Sequence, residues 1–181
     1  MIVVGIVLGG RASGDFRPQR VVEQRVSDVA YPRGPALLKE AMIAGHSDAR
    51  AALGLAPLLW DAALAADAQA YADELAQTGR FEHAVQPRGK PHQGENLWTG
   101  TRGAYAYGEM IGHWLAEKRD FINRPTPSFS RTSRWQDVAH YTQIVWRRTT
   151  RMGCATASNA RDDYLVCRYS PPGNVVGETS Y

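Results

Sequence analysis

The segment from Asp137 to Arg148, DVAHYTQIVWRR, constrains the fold more than any other part of the chain. From His140 to Trp146 it is rich in β-branched and aromatic residues. A strand period of two would place His140, Thr142, Ile144 and Trp146 on one face and Tyr141, Gln143 and Val145 on the other. Both faces are largely apolar, so the segment reads as a central strand covered on both sides. An imidazole at the start of such a strand is costly to bury alone. His140 therefore needs a polar partner from elsewhere in the chain, and identifying it is the main functional question.

Upstream, Pro35 opens a predicted helix to Leu53, with Leu38, Met42, Ala49 and Leu53 inward and Gly54 ending it. His46 falls within it and reads as a histidine hydrogen-bonded inside the domain. The run Gly45 to Asp48 mimics a nucleophile motif but lacks the second glycine and the strand-to-helix elbow. A second helix, capped by Asp61, runs to Gln77 with Leu64, Ala68, Tyr71 and Leu75 on its buried stripe and Gly79 at its end. His83 and Glu95, taken alone, read as loop residues. A third helix is predicted over 103–121. There Met110, Trp114, Glu117 and Phe121 share a face, and no lysine or arginine four residues away explains Glu117 as a surface ion pair. The alternative is a carboxylate that reaches out at the stripe's edge. Residues 123–136, with Pro125 and Pro127, read as a long loop.

Met152 to Thr156 and Tyr164 to Tyr169 read as a hairpin, and pairing Asn159 with Asp162 sets Cys154 opposite Cys167. Opposed Cβ atoms stand roughly 4.5 to 5.5 Å apart, near what a disulfide needs. The reading is a Cys154–Cys167 disulfide, with two buried thiols as the alternative. A disulfide implies an oxidising compartment, so the protein is expected to be secreted or periplasmic. The opening MIVVGIVLGG is a short apolar run with no basic residue before it, an atypical or truncated signal sequence or a poorly packed arm. Polar residues 11–33 extend that arm, with Val21 to Val29 a candidate short element. The division expected is an arm over 1–34 and one domain over 35–181.

Four ordered motifs resemble the CAP superfamily of cysteine-rich secretory proteins, antigen 5 and pathogenesis-related 1 proteins, whose domain is also called SCP. They are the stretch around His140, YLVCRYSPPGNVVGE at 164–178, GENLW at 94–98, and the series His46, Ser47, Arg50, Gly54, Leu58, Trp60, Asp61, Leu64, Ala68, Tyr71 and Ala72. Ala139 stands where most members have glycine, and Ser47 where asparagine is usual. The resemblance implies an α/β fold, a three-layer α-β-α sandwich with a mainly antiparallel sheet. It also implies that His83, Glu95, Glu117 and His140 line one central cleft. Two neutral imidazoles there suit Zn²⁺, making His83 and His140 the candidate metal ligands, and no HExxH helix is present.

Three functional readings compete: a binding protein for a metal ion or a small apolar, lipid- or sterol-like ligand; a structural or protein-interaction module; and a metal-assisted hydrolase. Binding ranks first, structural interaction second and hydrolysis third; against the hydrolase, no serine or cysteine nucleophile stands in register with the histidines. The 181 residues carry a net charge of +3 from arginines scattered without a dense basic run. Nucleic acid is therefore not an expected partner, contact with an anionic membrane has no support in the sequence, and a monomer is the simplest state.

Overall fold

The computed structural model describes residues 30–87 and 91–181. The apolar run at the N-terminus and the candidate element at Val21 to Val29 lie outside the described residues. The end of the arm is tied down: Arg33 donates to the Tyr105 carbonyl at 2.7 Å and pairs with Asp163 at 2.8 Å.

Helix α1 spans Pro35–Ala51, with proline in its first turn as expected. Its fully buried positions are Leu38, Met42, His46 and Arg50, a strict four-residue spacing. The predicted Ala49 and Leu53 are only partly buried against the same core. A two-residue strand β1, Leu59–Trp60, leads into helix α2, Ala62–Thr78. Asp61 caps α2 by accepting from the Ala63 and Leu64 amides, and Gly79 closes it at φ 68°, a left-handed conformation that favours glycine. Ala72 takes the buried place expected for Tyr71 on the stripe.

Strand β2, Gly94–Thr101, follows; helix α3 covers Tyr107–Ala116, shorter than the predicted 103–121. Gly103, at φ 74°, sits in a turn before it, and Glu109 accepts from the Ala106 amide to start it. Its far end tightens into a 3-10 turn at Glu117–Asp120. After the loop, a 3-10 turn Trp135–Val138 runs into helix α4, Ala139–Ile144. Strands β3, Arg151–Ser158, and β4, Asp162–Ser170, complete the regular structure of the described residues.

The four strands form one sheet in the order β1-β3-β4-β2, antiparallel except for the parallel pairing of β1 with β3. Helix α2 packs on one face with Leu97, Ala155, Tyr164 and Val166. The other face meets α1, α3 and α4 through Trp98, Cys154, Leu165, Cys167 and Tyr169. The three-layer α-β-α sandwich is therefore present. On the α2 side the approach is close: a Cβ at Gly153 would lie 2.2 Å from the Ala65 amide nitrogen. Cys154 pairs with Cys167 in the predicted register, Asn159 donates to the Asp162 carbonyl, and the two cysteines form a disulfide. That bond belongs to the chemistry of an oxidising, extracytoplasmic compartment. No helix among the described residues is long and apolar enough to cross a membrane.

The central strand expected at 140–146 is instead helix α4 and the turn after it. Thr142, Ile144 and Val145 favour a strand locally, but distant side chains hold both helix ends. Oε2 of Glu117 accepts from the amides of His140 and Tyr141, each at 3.0 Å, supplying the acceptor that first-turn amides lack. At the other end the guanidinium of Arg50 donates to the carbonyls of Ile144 at 3.0 Å and Trp146 at 2.8 Å. It also reaches Ala56 and Thr149. Two side chains contributed by α1 and the end of α3 thus decide the conformation of this six-residue helix.

Candidate functional site: two histidine–glutamate pairs at the edge of the sheet

The structure gives His140 the partner it requires. Nδ1 of its ring lies 2.6 Å from Oε1 of Glu117, whose other oxygen holds the two α4 amides. A carboxylate only accepts, so Nδ1 carries a proton, and in the neutral ring Nε2 is then the lone-pair donor. The ring also stacks on Trp114, with centroids 5.8 Å apart and an interplanar angle of 17°. Glu117 thus turns inward, and the surface alternative does not hold: its side chain is 18% exposed.

His83 and Glu95 form the second pair, with Nδ1 to Oε1 at 2.7 Å. The same oxygen accepts from the Ala84 amide at 3.0 Å, which fixes the loop beyond α2. Oε2 of Glu95 stands 2.8 Å from the Arg168 guanidinium, and both side chains are more than nine-tenths buried. Arg168 in turn lies over the Tyr71 ring, 5.3 Å from its centroid. His83 is more open, its side chain 56% exposed. In neither pair does the imidazole Nε2 have a partner among the described residues.

The two pairs approach each other at the start of β2. Glu95 belongs to one; the next residue, Asn96, donates to the His140 carbonyl at 3.1 Å. Consecutive strand residues point to opposite faces, so Glu95 faces the α2 layer and Asn96 the other. Among the described residues no three His, Cys, Asp or Glu side chains gather as a metal-holding group.

Behind Asn96 runs a buried chain of hydrogen bonds that sequence reasoning missed. Asn96 also donates to the Tyr169 hydroxyl at 3.2 Å, which meets Nε2 of His46 at 2.9 Å, while Nδ1 of His46 meets the Met42 carbonyl at 2.7 Å. The expected role of His46 as an internally bonded histidine holds. Burial pushes its pKa down from 6.5 to about 4, and burial likewise pushes the Tyr169 hydroxyl well above its ordinary value. From the far side Gln143 accepts from the Gly173 amide at 2.8 Å, and the Thr142 hydroxyl donates to Asn174 at 2.6 Å. A Cβ at Gly94 would fall 2.2 Å from Oε1 of the Gln143 side chain. Glycine before Glu95 thus lets the strand lie against α4. Arg168 was findable in principle, since it is the β4 residue opposite Glu95. The links through Arg50, Asn96 and Gln143 span dozens of residues and leave no periodic signal.

A cavity of about 850 Å³ lies elsewhere. Leu38, Trp60, Tyr107, Met110 and Ala155 are in its wall, and none of the four site residues is.

Comparison with known proteins agrees with this architecture. Residues 43–169 match the CAP (cysteine-rich secretory protein) family. The pathogenesis-related protein PR-1 type of Sambucus nigra is 35% identical over 75% of this chain and 77% of its own. Pathogenesis-related protein 1C of Nicotiana tabacum is 36% identical over 75% and 76%. Among solved structures, BmVAL-1 superposes with a TM-score of 0.64 at 24% identity, over 82% of this chain and 83% of its own. NaASP2, crystallised with Zn²⁺, gives 0.63 at 21% identity, over 86% and 88%. At such identities these two structures speak to the fold.

Proposed function

Since the chain belongs to the CAP family of cysteine-rich secretory proteins, we propose that it is an exported binding protein whose His83 and His140 hold a divalent transition metal, zinc by donor type. The observation that carries this reading is the state of the two imidazoles. Each commits Nδ1 to a carboxylate at 2.6 to 2.7 Å, and its Nε2 has no partner among the described residues. Metal-ligating histidines adopt this arrangement, because the carboxylate fixes the tautomer and strengthens the donor nitrogen.

The residues fit the ion as two neutral nitrogen donors, with the other positions left to water or a carried ligand. Bound there, zinc would act as a Lewis acid on whatever occupies those positions. The chain's own part is positional. Glu117 and Glu95 hold the protons on Nδ1, Arg168 holds Glu95, and Asn96 ties the His140 backbone to β2. Calorimetric zinc titration of His83→Ala and His140→Ala tests the reading. Each variant should lose zinc binding while its circular dichroism stays native. Unchanged affinity in both would overturn it. Collapse of stability in both, with no zinc binding by the parent, would make the pairs structural.

The apolar cavity favours a second reading, a small lipid- or sterol-like ligand held between α1, α2 and β3, away from the pairs. Trp60→Ala should then weaken binding of a fluorescent fatty acid or sterol, and His83→Ala should leave it unchanged.

A further inference from the structure

We propose that the face built by residues 118–134, Arg147, Arg148 and the tail 175–181 docks on an anionic lipid surface. The sequence hides this face because its cations are scattered over 118–148 and its tail lies further on; folding collects them. The Arg131 amide donates to the Asp120 carbonyl at 2.8 Å, and Phe121 bridges to Ser130, so Arg131 stands beside Arg119. The Arg147 amide donates to the Ser180 carbonyl at 2.7 Å, and Asn123 donates to the Tyr181 carbonyl, which sets Arg147 and Arg124 on either side of the tail. Tyr181 packs on Phe121, 5.8 Å between centroids, and so joins the two groups.

Lys118, Arg119, Arg124, Arg131, Arg134, Arg147 and Arg148 are all exposed. Three have carboxylate partners: Arg119 with Asp120, Arg134 with Asp137 and Arg148 with Glu178. Lys118, Arg124, Arg131 and Arg147 have none among the described residues. The opposite side of the sandwich has the reverse sign. Helix α2 exposes Asp67, Asp73 and Glu74 and contains no lysine or arginine. A charge dipole across the sheet orients the molecule with α2 away from a negative surface.

Exposed apolar groups distinguish a lipid surface from a simple polyanion. Val176 is 49% exposed and bridges to Thr126, between the exposed Pro125 and Pro127 and two residues along the chain from the exposed Arg124. Cations around a small apolar tip suit a headgroup layer, where the charges meet phosphate and carboxylate and the tip enters the acyl boundary.

Sedimentation with vesicles tests the inference. The protein should bind vesicles containing about 30 mol% phosphatidylserine in phosphatidylcholine and not phosphatidylcholine alone, with binding falling steeply as salt rises. The double variant Arg124→Glu/Arg147→Glu should lose about tenfold or more of the vesicle partitioning. Both sites are exposed, and native circular dichroism confirms that folding is kept. Val176→Ser, which leaves the charge of the face unchanged, should weaken vesicle binding and leave retention on heparin resin unchanged. Retention on heparin without vesicle binding would overturn the lipid assignment in favour of a sulfated glycan. Equal binding to neutral vesicles, or charge-reversed variants that bind like the parent, would overturn the electrostatic basis.

Discussion

Replacing Glu117 by glutamine changes one oxygen to an amide nitrogen, and the hydrogen bonds around it dictate the consequence. The carboxylate accepts three hydrogen bonds, two from the α4 amides at 3.0 Å and one from Nδ1 of His140 at 2.6 Å. A glutamine oxygen can keep the two amides, but its NH₂ then faces Nδ1 and requires a lone pair there. The His140 proton must move to Nε2, and the nitrogen that would bind metal becomes a donor. Bonds to a charged group are worth about 1.5 to 3 kcal/mol against about 0.5 to 1.5 for neutral ones. Unfolding stability should therefore fall by about 1 to 3 kcal/mol, with Glu117→Ala costing more because it orphans all three donors. Loss of the partner that sets the tautomer should cost about 10- to 100-fold in zinc affinity.

Urea denaturation gives the first number and calorimetric zinc titration the second. The ¹⁵N shifts of the His140 ring, read by NMR, report which nitrogen carries the proton. A Glu117→Gln variant in which Nε2 stays unprotonated and zinc binds as tightly as in the parent would refute the claim that Glu117 sets the tautomer. Unchanged stability would refute its role in holding the helix.

Three other perturbations probe the frame around the site. His46 has its pKa pushed down to about 4 by burial, against 6.5 in the unfolded chain. Below pH 6.5 the unfolded state takes up a proton that the folded state refuses, so this contribution is intact above 6.5 and is lost as pH falls toward 4. Parent and His46→Gln stabilities, compared by urea denaturation across that window, should differ in slope and diverge by about 3 kcal/mol in total. Arg50→Met strands the four carbonyls that its guanidinium serves; it should cost about 3 kcal/mol or more and raise amide exchange in α4. Gly153→Ala meets the α2 backbone at 2.2 Å, whereas Gly94→Ala meets the side chain of Gln143. The first should destabilise by about 3 kcal/mol and the second by less, with Gln143→Ala partly rescuing only the second in thermal melts.

What the sequence discloses and what it withholds divide along a physical line. Helices α1 and α2, their caps and the β3–β4 hairpin with its disulfide register are legible because local periodicity and turn chemistry specify them. Asp61 and Gly79 act where they stand, and Asn159 pairs with Asp162 three residues away. Helix α4 is the opposite case. Its six residues are too few to show a helical period or to nucleate alone, and their β-branched content points to a strand. The helix exists because Glu117 and Arg50 serve its ends, and neither contact is visible without the fold.

The same division governs the site. Glu117 is conspicuous in sequence because a carboxylate shares a stripe with Met110 and Trp114, and that oddity points to a partner without naming one. The structure shows that its two duties are inseparable. One oxygen orients the His140 ring and the other builds the helix that presents it, so a substitution that disturbs the chemistry also disturbs the support. At His83 these duties are separate: Glu95 is held by Arg168 from the neighbouring strand, and the histidine sits on a loop, more than half exposed. Truncating His83 should therefore remove a ligand with little loss of stability. Truncating His140 should remove a ligand and leave the Glu117 carboxylate short of one donor. The difference between these two stability costs, measured on otherwise identical proteins, separates a site built for binding from a cluster kept only for folding.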